Sequence, residues 1–287
     1  MKKIIIAFVL VNLFLPAYSF EGFKKSSEGE VRAVMNKHTK AMSNHDVEAV
    51  KSFYADNYKS SDGFTLEELG KMLEKTYSAY NNIKYKTRIS AINAYDDWAL
   101  VQMSDKSSAV VLPEDKSNNK RKMGKLEGKS VYNVYLKKIN NEWKIVSEDI
   151  LLEETSLKFG IARKIDMDIM SPLVVKSGQE YDLSLKINKP KGVFALASIS
   201  REEIVYPPVD SPEKYRRIPQ DGELERLVRA NDKNLDEYAV ASIGFTKVSI
   251  DEEQTKAKIE ILGMAYLMKR INMERIKAQN LQLVENN

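Results

Sequence analysis

Hydrophobic residues in the first third of the chain recur every three or four positions, as they do along one face of an α-helix. The first such stretch begins near Ser27, and Asn44 has the residue type that caps a second helix. Thr65 and Glu68 have the spacing of a capping box, which predicts a third helix after a polar turn at residues 59–63. The three apolar stripes are Val31, Val34, Met35, His38, Ala41 and Met42; Val47, Val50, Phe53 and Tyr54; and Leu66, Leu69, Leu73, Tyr77 and Tyr80.

From Ile83 onward the hydrophobic repeat shortens to two, which is the pattern of a strand with one face toward a core. Predicted strands cover residues 83–91, 98–103, 131–138 and 143–152, and Asn140-Asn141 makes the last turn. Helices followed by an antiparallel meander define an α+β domain over residues 28–154. We expect a cone in which three helices cover one face of a curved antiparallel sheet and enclose a cavity.

Alternating patterns return after a connector at residues 155–164 and continue to residue 273. Residues 206–222 are rich in proline and predict a long surface loop. Residues 223–230 have the composition of a strand or of a short helix. Strands are predicted at residues 165–170, 181–187, 193–199, 224–228, 238–248 and 259–268, with a hairpin turn at 188–192. The second half is therefore predicted to be an immunoglobulin-like all-β sandwich over residues 165–273, followed by a polar tail at 274–287.

Residues 1–19 have the features of an export leader: two lysines, an apolar run over residues 4–15, a proline, and then Ala17-Tyr18-Ser19. Small residues at Ala17 and Ser19 predict cleavage after Ser19. The apolar run is shorter than the roughly 20 residues that span a bilayer, so a signal peptide is favoured over a membrane anchor. The sequence thus predicts a periplasmic or secreted protein without a stable membrane anchor.

Composition excludes several classes of function. The 287 residues carry a formal net charge of +4, and loss of the leader with its two lysines leaves +2. Nucleic-acid-binding proteins normally have a much larger basic excess, so no nucleic-acid partner is expected. The absence of cysteine removes disulfides and thiolate chemistry, and two histidines, His38 and His45, are too few for a histidine-rich metal site. We therefore expect neither a metal nor a cofactor.

The segment HTKAMSNHDVEAVKSFYADNYKSSDG, at residues 38–63, resembles the front end of the NTF2-like superfamily, which includes SnoaL-like cyclases and ketosteroid isomerase. The shared pattern is a helix, an acidic cap, a helix ending in aromatic-Ala-Asp, and a turn with Asp-Gly. Trp143-Lys144-Ile145 on the final strand resembles the same group. The resemblance implies the cone fold for residues 28–154. It leaves the activity open, because the superfamily contains enzymes and non-catalytic binding domains. No family is recognised for the second half.

The resemblance also implies a candidate catalytic pair. Aligned on Ala55-Asp56, it places His38 where ketosteroid isomerase has its oxyanion-hole tyrosine and Asp62 where it has its proton-abstracting aspartate. A carboxylate in an apolar cone could move a proton while an imidazole stabilises the oxyanion. The second acid of that enzyme has no counterpart, because Asn133 cannot supply an acidic proton. Asp62 also fits an ordinary polar turn, and His38 fits an ordinary core histidine.

Tyrosine is frequent in the first half, where it is either core packing or, if the cone is open, the lining of a site for a small hydrophobic ligand. The residues expected to bind such a ligand are Tyr54, Tyr58, Tyr77, Asn133 and Tyr135. The basic run Lys120-Arg121-Lys122 lies in a predicted loop. It is interpreted as solvated, with contact to an anionic glycan or lipid head group as the alternative.

Two hypotheses for function follow from these patterns. The incomplete catalytic set and the all-β second half favour an exported, non-catalytic binding or assembly protein. Its partner would be a small hydrophobic ligand, another protein, or a second copy in a homodimer through the sheet face. The alternative is an isomerase, dehydratase or cyclase acting on a small hydrophobic substrate, with Asp62 as the base and His38 as its electrophilic partner.

Overall fold

The computed structural model describes residues 18–111, 123–209, 212–250 and 257–274, and it gives the backbone alone for residues 18–26, 250 and 257. The basic run at residues 120–122 lies outside the described residues, as do nearly all of the predicted leader and tail. No helix in the described part of the chain is both long enough and apolar enough to cross a membrane.

Three helices precede the strands: α1 (Tyr18–Ser43), α2 (Val47–Lys51) and α3 (Leu66–Ala79). The first helix begins earlier than the predicted start near Ser27, so it passes through the predicted cleavage position. The capping box of Thr65 and Glu68 is present at the start of α3, as predicted. The sequence pattern therefore identified all three helices but not the length of the first.

The cap of α2 differs from the prediction. The side chain of Asp46, and not that of Asn44, accepts a hydrogen bond from the backbone N–H of Ala49. The helix ends after five residues, and the chain then joins the sheet through a bridge between Tyr54 and Ile145. The predicted second helix is therefore one short turn followed by a segment that is hydrogen-bonded to the sheet.

Twelve strands are described, and they make up most of the structure. They are β1 (Lys84–Ala94), β2 (Trp98–Val111), β3 (Gly124–Ile139), β4 (Glu142–Gly160), β5 (Met167–Met170), β6 (Val174–Val175), β7 (Glu180–Ile187), β8 (Phe194–Glu203), β9 (Arg216–Arg217), β10 (Glu223–Arg229), β11 (Glu237–Ile250) and β12 (Ala257–Met273). Residues 223–229 thus form a strand and not the alternative helix.

The larger sheet runs through both halves of the chain. Its strand order is β1-β2-β3-β4-β12-β11-β8-β9, with β6 paired to β12, and a smaller sheet has the order β10-β7-β5. The two halves meet where β4 pairs with β12, from Gly160 opposite Gly263 to Glu154 opposite Lys269. Because this is an ordinary antiparallel pairing, the faces of the sheet continue from one half into the other.

The two ends of the larger sheet are covered on opposite faces. We call the face that carries Val101, Val134 and Ile145 the helix face, because these buried residues share one core with Val31 and Met35 of α1. At the other end, the opposite or outer face packs on the small sheet. That second core contains Ile199, Ile243 and Leu267 of the larger sheet and Leu183 and Leu185 of β7.

Two glycines allow β4 and β12 to approach. Gly160 has a φ of +60°, and a Cβ atom there would lie 2.2 Å from the carbonyl oxygen of Leu262. A Cβ atom at Gly263 would lie 2.5 Å from the carbonyl oxygen of Phe159. Both contacts are with backbone atoms, which cannot move aside without displacing a strand. The junction between the halves therefore requires glycine at both positions.

Two expectations for the second half are corrected, and a third is not confirmed. The predicted connector at residues 155–164 continues β4 to Gly160 and then forms a 3-10 turn at Ile161–Lys164. The predicted hairpin at 188–192 does not form, because β7 belongs to the small sheet and β8 to the larger one. Two layers do pack together here, but one of them is shared with the first half, so an immunoglobulin-like sandwich is not confirmed.

The glycine junction leads to a stability prediction. Gly160→Ala and Gly263→Ala should each lower the free energy of unfolding by about 2 kcal/mol or more, because the added methyl group meets backbone. Urea unfolding provides the measurement. Gly244→Ala is the matched control in the same sheet, since a Cβ atom there meets nothing within 4 Å. Equal stabilities for all three variants would contradict the role given to the junction.

Candidate functional site

The structure does not pair Asp62 with His38. The turn that carries Asp62 is bonded to β4, because the N–H of Ser61 donates to the carbonyl oxygen of Glu148 at 2.8 Å. The Asp62 carboxylate accepts hydrogen bonds from Arg270 of β12, with Nη2 at 2.5 Å and Nη1 at 3.1 Å. Asp62 therefore bonds to a residue from the second half of the chain, whereas His38 bonds elsewhere.

Arg270 is the centre of a buried charge cluster. Its side chain is fully buried, and those of Asp62 and Asp236 are 3% and 4% exposed. The same Nη2 atom donates to Asp236 at 2.6 Å, and Asp236 also accepts from the backbone N–H of Met273. Burial raises the pKa of Asp62, and the guanidinium of Arg270 opposes that rise. Because arginine remains protonated, the cluster holds one cation between two carboxylates.

His38 belongs to a separate hydrogen-bonded chain on the helix face. Its Nε2 lies 3.2 Å from the hydroxyl of Tyr54, which donates to one oxygen of Glu148 at 3.2 Å. Tyr58 donates to the other oxygen of Glu148 at 2.9 Å. The rings of Tyr54 and Tyr58 meet edge to face, with their centroids 4.8 Å apart. Two tyrosines from the helical segment therefore bond to one carboxylate of β4, and His38 extends the chain through Tyr54.

The protonation states of this chain follow from its bonds. Burial raises the pKa of Tyr54 and Tyr58, so both phenols keep their protons and donate them to Glu148. Since the single proton of Tyr54 points at Glu148, its oxygen must accept from Nε2–H of His38. Burial lowers the pKa of His38 to about 4, so this imidazole is neutral at pH 7. Burial raises the pKa of Glu148, and the two tyrosine bonds oppose that rise.

Two β-bulges turn carboxylates toward the helix face. Tyr135 lies opposite Ser147 and Leu136 opposite Ile145, so Val146 is an extra residue in β4 that places Glu148 on the same face as Ile145. A second bulge, between Ile150 and Leu152, does the same for Glu153. Glu153 accepts a hydrogen bond from Tyr238 of β11 at 2.6 Å. Bulges of this kind commonly re-aim side chains near functional sites.

One carboxylate oxygen on the helix face has no partner. Oδ2 of Asp105 accepts a hydrogen bond from Tyr132 at 2.7 Å. Its Oδ1 is buried and has no hydrogen-bond partner in the described part of the chain. An unpaired buried oxygen costs free energy, about 1–3 kcal/mol, so it marks a place where a donor group of a ligand or a water would be favourable.

Three of the predicted ligand-binding residues lie away from this chain. Tyr77 is buried, directs its hydroxyl to Met42, and stacks on His45 at 4.5 Å. Asn133 and Tyr135 alternate with the buried residues of β3, so they lie on the outer face. Of the five predicted ligand-binding residues, the structure brings together Tyr54 and Tyr58. The idea that Asn133 and Tyr135 share a pocket with them is corrected.

Sequence reasoning missed Arg270, Glu148 and Asp105. Arg270 had a visible signal, since it is one of two charged residues, with Lys269, in the mostly apolar stretch AYLMKRINM. Glu148 had no signal in the sequence, because the face toward which its side chain points depends on the bulge at Val146. Asp105 continues the alternation of Ala99, Val101 and Met103, but its place on the helix face depends on a strand longer than the predicted 98–103. No group of three or more metal-ligating side chains is present within the described ranges.

The sequence matches no protein-family model and no curated protein. Among solved structures the chain is similar to Bd1075 of Bdellovibrio bacteriovorus, at 20% identity and a TM-score of 0.35, over 42% of this chain and 39% of that one. A proposed scytalone dehydratase from Novosphingobium aromaticivorans matches at 13% identity and a TM-score of 0.37, over 45% of this chain and 86% of that one. A proposed dehydratase of the NTF2-like family from Streptomyces avermitilis matches at 14% identity and a TM-score of 0.36. That match covers 44% of this chain and 96% of the other.

One of these neighbours, the protein from Streptomyces avermitilis, is described as a member of the NTF2-like family. The three matches cover 42–45% of this chain. The chain spans well under half the length of Bd1075. The likeness is one of fold, and the activities of the matched proteins are not carried over to this chain.

The charge cluster leads to a prediction for a double-mutant cycle. Arg270→Met should lower the free energy of unfolding by about 3–5 kcal/mol, because it leaves two buried carboxylates without their cation. Adding Asp62→Asn removes one of those carboxylates. The loss of unfolding free energy in the double variant should therefore be smaller, by about 1–3 kcal/mol, than the sum of the losses in the two single variants. Urea unfolding provides the measurement. Strict additivity would show that the two side chains do not interact.

His38 leads to a prediction for pH dependence. Its pKa is about 4 in the folded chain against 6.5 for an ordinary histidine, so between these values the unfolded chain binds a proton that the folded chain does not. The contribution of neutral His38 to the free energy of unfolding should be fully present above pH 6.5, and the free energy of unfolding should fall by about 2–3 kcal/mol toward pH 4. His38→Gln should remove this part of the decline in urea unfolding. An imidazole NMR titration of His38 centred near 6.5 would refute the assignment.

Proposed function

We propose that the chain is an exported, non-catalytic binding or assembly protein whose two halves act as one unit. The observation that carries this proposal is the position of Asp62. The enzyme hypothesis needs that carboxylate as a free base, but it is buried and bonded to Arg270 from the other half of the chain. A carboxylate that stabilises the union of two halves is poorly suited to exchange protons with a substrate.

The state of His38 supports the same proposal. Its Nε2–H donates to Tyr54, and it is 7% exposed. Both oxygens of Glu148 accept hydrogen bonds from tyrosines that keep their protons. The chain from His38 to Tyr58 is thus bonded within itself, which is what a buried polar network that supports a core requires.

A second candidate is an acid–base enzyme with Glu148, and not Asp62, as the proton-transfer group. Two observations favour it. Burial raises the pKa of Glu148 toward the range in which a carboxyl group can both donate and accept a proton. The unpaired Oδ1 of Asp105 lies on the same face of the sheet and could accept a hydrogen bond from a substrate. In this alternative the substrate would be a small molecule with a hydroxyl or amine group.

The two functions differ in their effect on added compounds. Protein recovered from the exported fraction, with Phe20 as its first residue, would be incubated with steroid-like, polyketide-like and hydroxylated aromatic compounds. Mass spectrometry should show each compound unchanged, at the level found with the Glu148→Gln variant. Thermal shift measured on the same samples reports binding independently of conversion.

A compound that the wild-type chain converts, and the Glu148→Gln variant does not, would overturn the proposal in favour of the enzyme. Asp62→Asn is the matched control, because Asp62 is not expected to take part in chemistry under either function. Recovery of the chain with its first 19 residues still attached would overturn the export part of the proposal.

A further inference from the structure

The outer face of the first half is strongly basic. β1 presents Lys84, Lys86 and Arg88 outward, because they alternate with residues that face the helices. Across the sheet, Lys86 lies opposite Lys106 of β2, and Lys106 lies opposite Lys129 of β3. Lysine therefore occupies three neighbouring strands in one straight row. We call this surface, from β1 to β4, the basic face.

Further lysines extend the basic face toward the second half. Lys125 of β3 lies opposite Lys158 of β4. Beyond Lys129 the row continues through Glu154 of β4 to Lys269 of β12. Two acidic side chains share these rows of the sheet, Glu127 and Glu154, so cations outnumber acids there by eight to two. The whole chain has a formal net charge of only +4, so the positive charge is concentrated on this surface.

Part of the basic face is free to bind an anion. Glu127 pairs with Lys125, and Glu154 pairs with both Lys129 and Lys269. Lys84, Lys86, Arg88 and Lys106 have no ion pair within the described ranges, and all four are exposed. Like charges held close together repel one another, so a bound polyanion would relieve that repulsion.

A groove of about 320 Å³ lies at the end of the lysine row, where β5 stands over the basic face. Four lysines line it, Lys106, Lys129, Lys158 and Lys269, together with the acids Glu127, Glu154 and Asp168. Glu127 and Glu154 are paired with lysines, and Met167, Ile169 and Leu267 give the groove an apolar wall. Neighbouring strands are about 4.8 Å apart, so Lys86, Lys106 and Lys129 present three cations about 5 Å apart before the row reaches Glu154 in the groove. This geometry suits a linear anion that crosses the strands.

We infer that the basic face binds an acidic polysaccharide, with its carboxylates on the lysine row and its sugar rings against the apolar wall. This inference rests on the proposed binding function and names a partner class for it. Single-stranded nucleic acid would need aromatic side chains for base stacking, and none lines the groove. A membrane surface would need a projecting apolar patch. In the groove, however, the side chains of Ile169 and Leu267 are buried. A homodimer through this face would bring two positive surfaces together.

The test is binding of a fluorescent oligogalacturonate to the purified chain, measured by anisotropy at about 50 mM and about 300 mM NaCl. The wild-type chain should bind, and binding should weaken with salt. Lys86→Glu/Lys106→Glu should weaken binding about tenfold or more, because it reverses two unpaired cations of the row. Lys86→Gln/Lys106→Gln should give an intermediate loss, and urea unfolding of both variants shows whether they remain folded.

The matched control is Lys37→Glu/Lys191→Glu, which makes the same change in net charge at exposed positions on α1 and on the 188–193 loop. It should bind within about threefold of the wild type. Equal weakening in this control, or no weakening in the Lys86/Lys106 variants, would overturn the inference, as would the absence of any binding. Tighter binding to anionic vesicles or to single-stranded DNA would assign the face to another partner. None of these outcomes depends on conversion of a substrate. The proposed non-catalytic function is therefore tested separately, by the mass spectrometry of added compounds described above.

Discussion

The structure depends on the pairing of β4 with β12. That pairing makes one sheet out of strands from the two ends of the chain, and it requires glycine at positions 160 and 263. Because the pairing is regular, each face of the first half continues into the second. The helices cover one face at one end, and the small sheet covers the opposite face at the other end. Among the described residues neither layer covers the outer face of β1 to β3, which makes up most of the basic face.

The same pairing explains where the buried charges lie. Arg270 follows the last registered pair, Lys269 opposite Glu154, and its side chain reaches the helix face, where it meets Asp62. Other carboxylates of that face are bonded to tyrosine hydroxyls, as Glu148 is to Tyr58 and Glu153 to Tyr238. Removing charges from water is costly unless each is bonded, and phenols that keep their protons supply those bonds. The polar interior is thus linked from the first half to the second.

Much of the local structure could be predicted from sequence, because it depends on neighbours along the chain. The capping box of Thr65 and Glu68 started a helix, and the alternation of Ile83 to Ala91 gave a strand with lysines outward. The continuity of the sheet could not be predicted, since the partners of β4 and β12 are more than one hundred residues apart. The directions of Glu148 and Glu153 depend on bulges, and one extra residue reverses a face without changing the hydrophobic pattern. The resemblance named Asp62 and His38 as a catalytic pair, but it could not show that Arg270, more than two hundred residues along the chain, would bond to Asp62.

The central claim is that the shared sheet and the Arg270 cluster make one cooperative unit of the two halves. Both tryptophans, Trp98 and Trp143, lie in the first half, so their fluorescence reports on that half alone. Hydrogen exchange of β7 and β10 followed by mass spectrometry reports on the small sheet of the second half. Measured together across a urea titration, the two signals should change at the same midpoint. Loss of protection in β7 and β10 while tryptophan fluorescence remains native would contradict the account.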